Sequence, residues 1–197
     1  MKPHIYFDMD GVLAKYEESA YSGPTPLFSQ RGKHYFRHLQ ADPVAVDAFV
    51  KLYTMDEYGP ENVTVVSSII GEGSLFLEHY HDKLAWLDEH VYSNMRSKRA
   101  PKNYERLRLL PCLGSKADTV AFRHWNGRST GLMRSDILID DYNENLVEWR
   151  DRGGLAIKYQ NAVNTKNSLD VPVIDMSMSA DDIVDFIETI ADMQFHE

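Results

Sequence analysis

The apolar positions of this chain fall into short branched runs separated by longer amphipathic stretches. Ile5-Tyr6-Phe7, Val63-Thr64-Val65-Val66, Ile137-Leu138-Ile139 and Leu155-Ala156-Ile157-Lys158-Tyr159 are apolar on nearly consecutive positions. Such runs suit strands buried on both faces, as in a parallel sheet. Leu107, Leu109 and Leu110 mark a weaker strand over residues 106–110, and residues 171–174 read as an edge strand. Between the runs the spacing turns helical. Val44, Val46, Phe49, Val50 and Leu52 predict a helix over residues 43–53, with Asp42 as N-cap and Pro43 at the first helical position. Leu75, Leu77, Leu84, Trp86 and Leu87 predict another, ending near His90. A third over residues 143–150 is stopped by Gly153-Gly154, and Ser179 caps a terminal helix carrying Ile183, Val184, Ile187 and Ile190 on one face.

Residues 93–104 read as a basic, irregular surface connection, and residues 119–134, with Asn126-Gly127, as a loop or small hairpin. The segment 13–60, with its turn cluster Ser22-Gly23-Pro24-Thr25-Pro26, reads as an insertion after the first strand. Strands alternating with helices predict an α/β fold of three layers, a parallel sheet with helices on both faces. The expected division is a core of residues 1–13 and 61–197, and a small inserted subdomain of residues 14–60.

Charge changes the picture at the ends of the strands. Asp8 and Asp10 follow the first run at i and i+2, so in continuing strand geometry both face one side, and Gly11 lets the chain turn away. Carboxylates this close repel one another unless a cation lies between them, and a hard divalent metal such as Mg2+ answers that need. Ser67 ends the second run, Lys116 follows the weak strand, and Asp140-Asp141 ends the run at 137–139. Each has an ordinary explanation when taken singly: an acidic turn, a strand-end hydroxyl, a solvated lysine, acids at a helix N-terminus. In open parallel sheets, however, ligands bind beyond the carboxyl ends of the strands. Four acids, a hydroxyl and a lysine at those ends describe a site better than a core.

The 197 residues carry a formal net charge of -9, which argues against binding a nucleic-acid polymer; a small anion needs only local donors. Cys112 is the sole cysteine, so no intrachain disulfide forms and a reducing compartment is expected. The chain enters its first strand at once, leaving no space for a signal peptide, and no apolar run reaches membrane-spanning length. A cytoplasmic location is the expectation. His34 and His38, and His79 and His81 around Tyr80, read as surface or packing residues for want of a third ligand.

Asp8-Met9-Asp10-Gly11-Val12, Ser67, Lys116 and Asp140-Asp141, in that order, resemble the four motifs of the haloacid dehalogenase (HAD) superfamily of phosphohydrolases. Within it the chain is most similar to the 5'(3')-deoxyribonucleotidase family, on the stretch 8–14, the helix containing Asp82-Lys83-Leu84-Ala85-Trp86, and Ile137-Leu138-Ile139-Asp140-Asp141. The resemblance spans residues 4–160. It implies a HAD-like Rossmannoid core with a small helical cap inserted after the first strand. It also implies a Mg2+-dependent phosphomonoesterase working through an aspartyl-phosphate.

On this resemblance Asp8 is the nucleophile and Asp10 the general acid and base. Mg2+ is held by the Asp8 carboxylate, the Asp10 backbone carbonyl and Asp141, with Asp140 steadying the shell, while Ser67 and Lys116 grip the phosphoryl oxygens. Tyr16 matches an aromatic that stacks on a base; Phe28, Tyr35 and Phe36 are weaker candidates. The implied partner is a small phosphorylated substrate, a deoxynucleoside monophosphate first, and a homodimer is compatible with it. Another small phosphate ester such as a sugar phosphate, a nucleic-acid 3'-phosphate, and a non-catalytic binding module are the alternatives. The chain departs from the family in a shorter cap, in Lys15 where an acid is expected, and in a longer stretch between Lys116 and Asp140.

Overall fold

A computed structural model describes residues 2–16, 33–97, 109–125, 136–164 and 169–193. In chain order its elements are strand β1 (Ile5–Asp8), β2 (Ala14–Lys15), a 3-10 turn (Tyr35–His38), β3 (Gln40–Ala41), helix α1 (Pro43–Thr54), the single turn α2 (Gly59–Asn62) and β4 (Val63–Ser68). There follow α3 (Gly73–Leu87), which runs through a π turn (Asp88–Tyr92) into α4 (Ser93–Ser97), then β5 (Leu109–Cys112), α5 (Lys116–Trp125) and β6 (Ile137–Asp140). The chain continues with α6 (Asn143–Asp151), β7 (Leu155–Tyr159), β8 (Val173–Ile174) and α7 (Ala180–Met193).

Six strands form one parallel sheet in the order β5-β4-β1-β6-β7-β8. The order puts the first strand in the middle. From β1 the chain builds outward through β4 and β5, then crosses back to lay β6, β7 and β8 on the other side. The carboxyl end of β1 is therefore a topological switch point, where diverging connections leave a crevice.

Successive strand residues face opposite layers. Ile5, Phe7, Val63, Val65, Ile137, Ile139 and Ile157 share a core with buried residues of α1, α3 and α7. Tyr6, Val66, Leu138 and Ala156 face the other way, onto Ala117 and Val120 of α5 and Leu146 and Trp149 of α6. The helix caps match the sequence signals. Asp42 accepts from the backbone N–H of Val44 and Ala45, at 3.0 and 3.2 Å. Ser179 and Asp182 cap each other, each backbone N–H reaching the other's side chain at 2.9 and 3.2 Å.

Three expectations change. Residues 119–125 are helical, within α5, rather than loop or hairpin; residues 126–134 lie outside the described residues. Ser115 caps this helix, accepting from the Asp118 N–H at 3.0 Å, so Ser115-Lys116-Ala117-Asp118 was a helix start that the Asn-Gly turn signal outweighed. The strand expected over 106–110 runs on through Pro111 to Cys112; residues 106–108 lie outside the described residues. Of the connection expected over 93–104, residues 93–97 are helical and extend the path beyond His90; residues 98–104 lie outside the described residues.

β2 and β3 pair antiparallel, Ala14 opposite Ala41 and Lys15 opposite Gln40, and bracket the segment between residues 16 and 39. α1 follows that bracket and packs on α7 in the core. The end of the inserted segment is pinned to α3: Trp86 donates its indole N–H to the Leu39 carbonyl at 2.7 Å, and the fully buried Phe36 meets His79 edge to face at 4.9 Å. Phe36 and half-buried Tyr35 thus serve packing, while Phe28 lies outside the described residues.

Candidate active site

Asp8 is the last residue of β1 and, by the alternation of the strand, lies on the α5/α6 side of the sheet. Asp140 ends the neighbouring strand on the same side. α5 starts there, and its first residue, Lys116, places Nζ 2.8 Å from Asp8 Oδ1 and 2.7 Å from Asp140 Oδ2. A lysine in the first turn of a helix opposes the helix dipole; here the two carboxylates compensate. Asp8 Oδ1 also accepts from the Met9 N–H at 2.7 Å. Both bonds fall on Oδ1, which leaves Oδ2 for other chemistry. Asp140 is fully engaged: its oxygens accept from Lys116, from Asn145 Nδ2 at 2.9 Å and from the Tyr142 N–H at 2.8 Å.

Ser67, at the end of β4, lies on the opposite side of the sheet, toward α3. There α3 delivers a residue whose role sequence reasoning missed. Lys83 has no exposed surface, and its ammonium donates to Asp10 Oδ2, to Ser67 Oγ at 2.8 Å and to the Ser68 carbonyl at 2.8 Å. Ser67 Oγ is itself 3.3 Å from Asp10 Oδ2. The other Asp10 oxygen, Oδ1, is buried without a hydrogen-bond partner. A signal for Lys83 was present: it falls in helical phase with His79, Trp86 and Leu87, on the buried face, where an unpaired ammonium would be costly.

Asp141 lies just past β6. Its Oδ2 accepts from Asn161 Nδ2 at 2.9 Å and Asn164 Nδ2 at 2.6 Å, and Asn161 also donates to the Gly11 carbonyl at 2.7 Å. Neither asparagine was singled out from sequence, since a polar pair after a strand is common loop chemistry. Gly11 has φ +88, and a Cβ there would come within 2.2 Å of Asp141 Oδ2. Only glycine admits the carboxylate so close to the turn. Buried Lys158 holds the Asp141 carbonyl and donates to Asn143 Oδ1 at 2.8 Å.

Carboxylate oxygens of Asp8, Asp140 and Asp141 thus come within 4.8 Å of one another, all buried. Burial pushes the Asp8 carboxyl well above its usual range; Lys116 pulls it down, and Asp140, Asp10 and Asp141 push it further up. Burial and then Asp140 push Asp141 up to about 6, against Asn164, Asn161 and Lys116. For Lys116, burial favours the neutral form, yet Asp140 and Asp8 outweigh it and hold the ammonium above the ordinary lysine value. An all-oxygen, partly uncompensated acidic cluster is the donor set a hard divalent cation prefers, so Mg2+ fits it. With both Asp140 oxygens already engaged, Asp8 and Asp141 are the better placed to ligate.

The raised Asp141 value has a measurable consequence. A carboxyl whose folded pKa exceeds its unfolded one favours the metal-free fold below about pH 4, and that advantage is lost as pH rises through about 6. A shift of that size corresponds to roughly 2–3 kcal/mol at neutral pH. In urea unfolding without metal, Asp141→Asn should therefore be the more stable protein at pH 7.5, and the gap should close toward pH 5. Mg2+ should stabilise the wild type at pH 7.5 and narrow that gap. An equal difference at both pH values would remove Asp141 as its source.

Beside the cluster lies a cavity of about 640 Å³, sharing Gly11 and Asn161 with it and lined further by Lys15, Tyr16, Gln40 and Met176. The sequence-predicted residues therefore divide into Asp8, Lys116 and Asp140 on one side of the sheet edge, Asp10 and Ser67 on the other, Asp141 beside Gly11, and Tyr16 at this cavity.

No protein-family profile and no curated protein sequence matches the chain. Among solved structures it is similar to D,D-heptose 1,7-bisphosphate phosphatase from B. bronchiseptica, crystallised with magnesium and phosphate. The TM-score is 0.53 at 14% identity, over 96% of this chain and 99% of the other. The chain shares the fold of that protein. At this identity the likeness speaks for architecture, a six-stranded parallel sheet between helical layers, and not for substrate. Among the described residues no helix is long and apolar enough to cross a membrane.

Proposed function

We propose that this protein is a Mg2+-dependent phosphomonoesterase that acts on a small phosphate ester through an aspartyl-phosphate at Asp8. The observation that carries the reading is the Lys116 ammonium held at 2.8 Å from Asp8, inside a buried cluster with Asp140 and Asp141. A phosphate dianion approaching a carboxylate must have its charge offset and its phosphorus held in line. Lys116 supplies a cation that burial does not neutralise, and it fixes Asp8 by one oxygen so that Oδ2 can attack. When bound by Asp8, Asp141 and the Asp10 carbonyl, Mg2+ offsets the remaining negative charge of carboxylate and phosphate.

Asp10 protonates the leaving oxygen and then takes a proton from water in the second step. Its proton belongs on Oδ1, because Oδ2 faces the Lys83 ammonium and the Ser67 hydroxyl. Lys83 thereby orients Asp10 and Ser67, and Ser67 with Lys116 meets the phosphoryl oxygens. Asp140 steadies Lys116, and Asn161 with Asn164 steadies Asp141.

We place the inserted cap between β2 and β3, since α1 packs into the core. The leading substrate class is a deoxynucleoside monophosphate, on the family resemblance and on Tyr16, which lines the cavity beside the cluster where a base could stack. A sugar phosphate is supported equally well by the heptose bisphosphate on which the structural neighbour acts. Phosphate release from deoxy- and ribonucleoside monophosphates, sugar phosphates and an aryl phosphate, with Mg2+ and with EDTA, separates these. Metal-dependent release is expected, strongest for one of the two classes. Cleavage of the aryl ester alone would keep the chemistry and discard both substrate classes; no release from any ester would discard the enzyme.

A further inference from the structure

A second set of metal-ligating side chains meets where the 3-10 turn docks on α3. Glu78 and Asp82 are one helical turn apart, so they share a face of α3. His34, just before the 3-10 turn, places Nδ1 2.8 Å from Asp82 Oδ1, and its backbone N–H lies 3.4 Å from Glu78 Oε1. Ligand atoms of His34, Glu78 and Asp82 come within 4.8 Å of one another. None of the three takes part in the phosphatase chemistry proposed above.

An independent observation points to a missing ligand. Asp82 is only 3% exposed, yet its second oxygen, Oδ2, has no hydrogen-bond partner. A buried carboxylate oxygen left unpaired is costly, and the imidazole satisfies only Oδ1. His34 stands with half its side chain in solvent and can close on an ion.

We infer that His34, Glu78 and Asp82 bind a divalent transition-metal ion, with Zn2+ the best fit. Zn2+ accepts imidazole nitrogen and carboxylate oxygen alike, and one imidazole and two carboxylates supply three protein ligands with water for the fourth position. The imidazole nitrogen sets this site apart from the all-oxygen cluster at Asp8, which suits Mg2+. The ion ties the chain leaving the inserted segment to the helix that carries Lys83. That joint is already formed by Phe36 against His79, by the Lys83 ammonium 4.3 Å from the Phe36 ring centre, and by Trp86 on Leu39.

The test is calorimetric titration of Zn2+ into the full chain in excess Mg2+, for the wild type, His34→Ala, Asp82→Asn and Asp141→Asn. One Zn2+ that Mg2+ does not displace is expected in the wild type and in Asp141→Asn, with affinity lowered by about tenfold or more in His34→Ala and Asp82→Asn. The His34 side chain is half exposed, so its truncation removes no packed side chain; thermal unfolding of metal-free His34→Ala shows that it is folded, and that variant then decides the matter even if Asp82→Asn folds poorly. No Mg2+-resistant Zn2+, wild-type affinity in His34→Ala, or loss of Zn2+ in Asp141→Asn instead would each overturn the assignment.

Discussion

Asp8→Asn should lower kcat for any ester the protein cleaves by about 10^4-fold or more, because an amide cannot form the acyl phosphate on which both proposed steps depend. The fold should survive. The amide oxygen can still accept from the Met9 N–H and from Lys116, the two partners of Asp8 Oδ1. The exchange also removes a buried carboxylate whose pKa is already driven up by burial and by Asp140, Asp10 and Asp141. Metal-free Asp8→Asn should therefore unfold no more easily than the wild type at pH 7.5. The measurements are steady-state kinetics with Mg2+ and thermal unfolding without it. Acid-quenched wild type, mixed with substrate, should also carry one phosphoryl group by mass, and the variant none. Substantial turnover in a folded Asp8→Asn protein would exclude Asp8 as nucleophile.

Much of this site could be read from sequence because the fold converts strand ends into neighbours. Once β1, β4 and β6 are recognised as buried strands of one parallel sheet, Asp8, Ser67 and Asp140 must lie on one edge of it. What could not be read was which side of the sheet each residue serves, since that depends on helix placement. Lys116 was legible as a residue after a strand, but not as the first residue of a helix, and the helix is what aims it at Asp8 and Asp140. Lys83 shows its helical phase in the sequence, but its acceptors, Asp10 and Ser67, are tertiary facts. Asn161 lies 150 positions from the Gly11 carbonyl it bonds, a distance no local pattern reports. His34 reads from sequence as a surface or packing residue, and the acids that the fold sets beside it, Glu78 and Asp82, lie 44 and 48 positions away on α3.

Lys116→Ala should combine a large loss of activity with a large loss of stability, and the pairing of the two is diagnostic. The ammonium is buried between Asp8 and Asp140, with 2% of the residue exposed. Removing one partner of a buried ion pair typically costs about 3–5 kcal/mol, because the remaining charge has lost its compensation. The sign with pH follows from Asp8. Without Lys116 its carboxyl loses the cation that holds its pKa down, so the folded state binds a proton more readily still. The penalty should then be full at neutral pH and shrink as pH falls, the direction expected of a carboxyl whose folded pKa lies above its unfolded one. Urea unfolding of the metal-free protein at pH 5 and 7.5 tests this. Adding Asp140→Asn to Lys116→Ala should restore part of the lost stability, because one stranded charge has gone; the coupling between the two sites should be about 0.5–3 kcal/mol. Activity should not return with stability, since neither change replaces the cation proposed to face the phosphoryl group, and kcat/KM should stay low in the double variant. An unchanged kcat/KM in Lys116→Ala would remove the residue from catalysis. An unchanged urea midpoint would remove the ion pair with Asp8 and Asp140 as a prop of the fold.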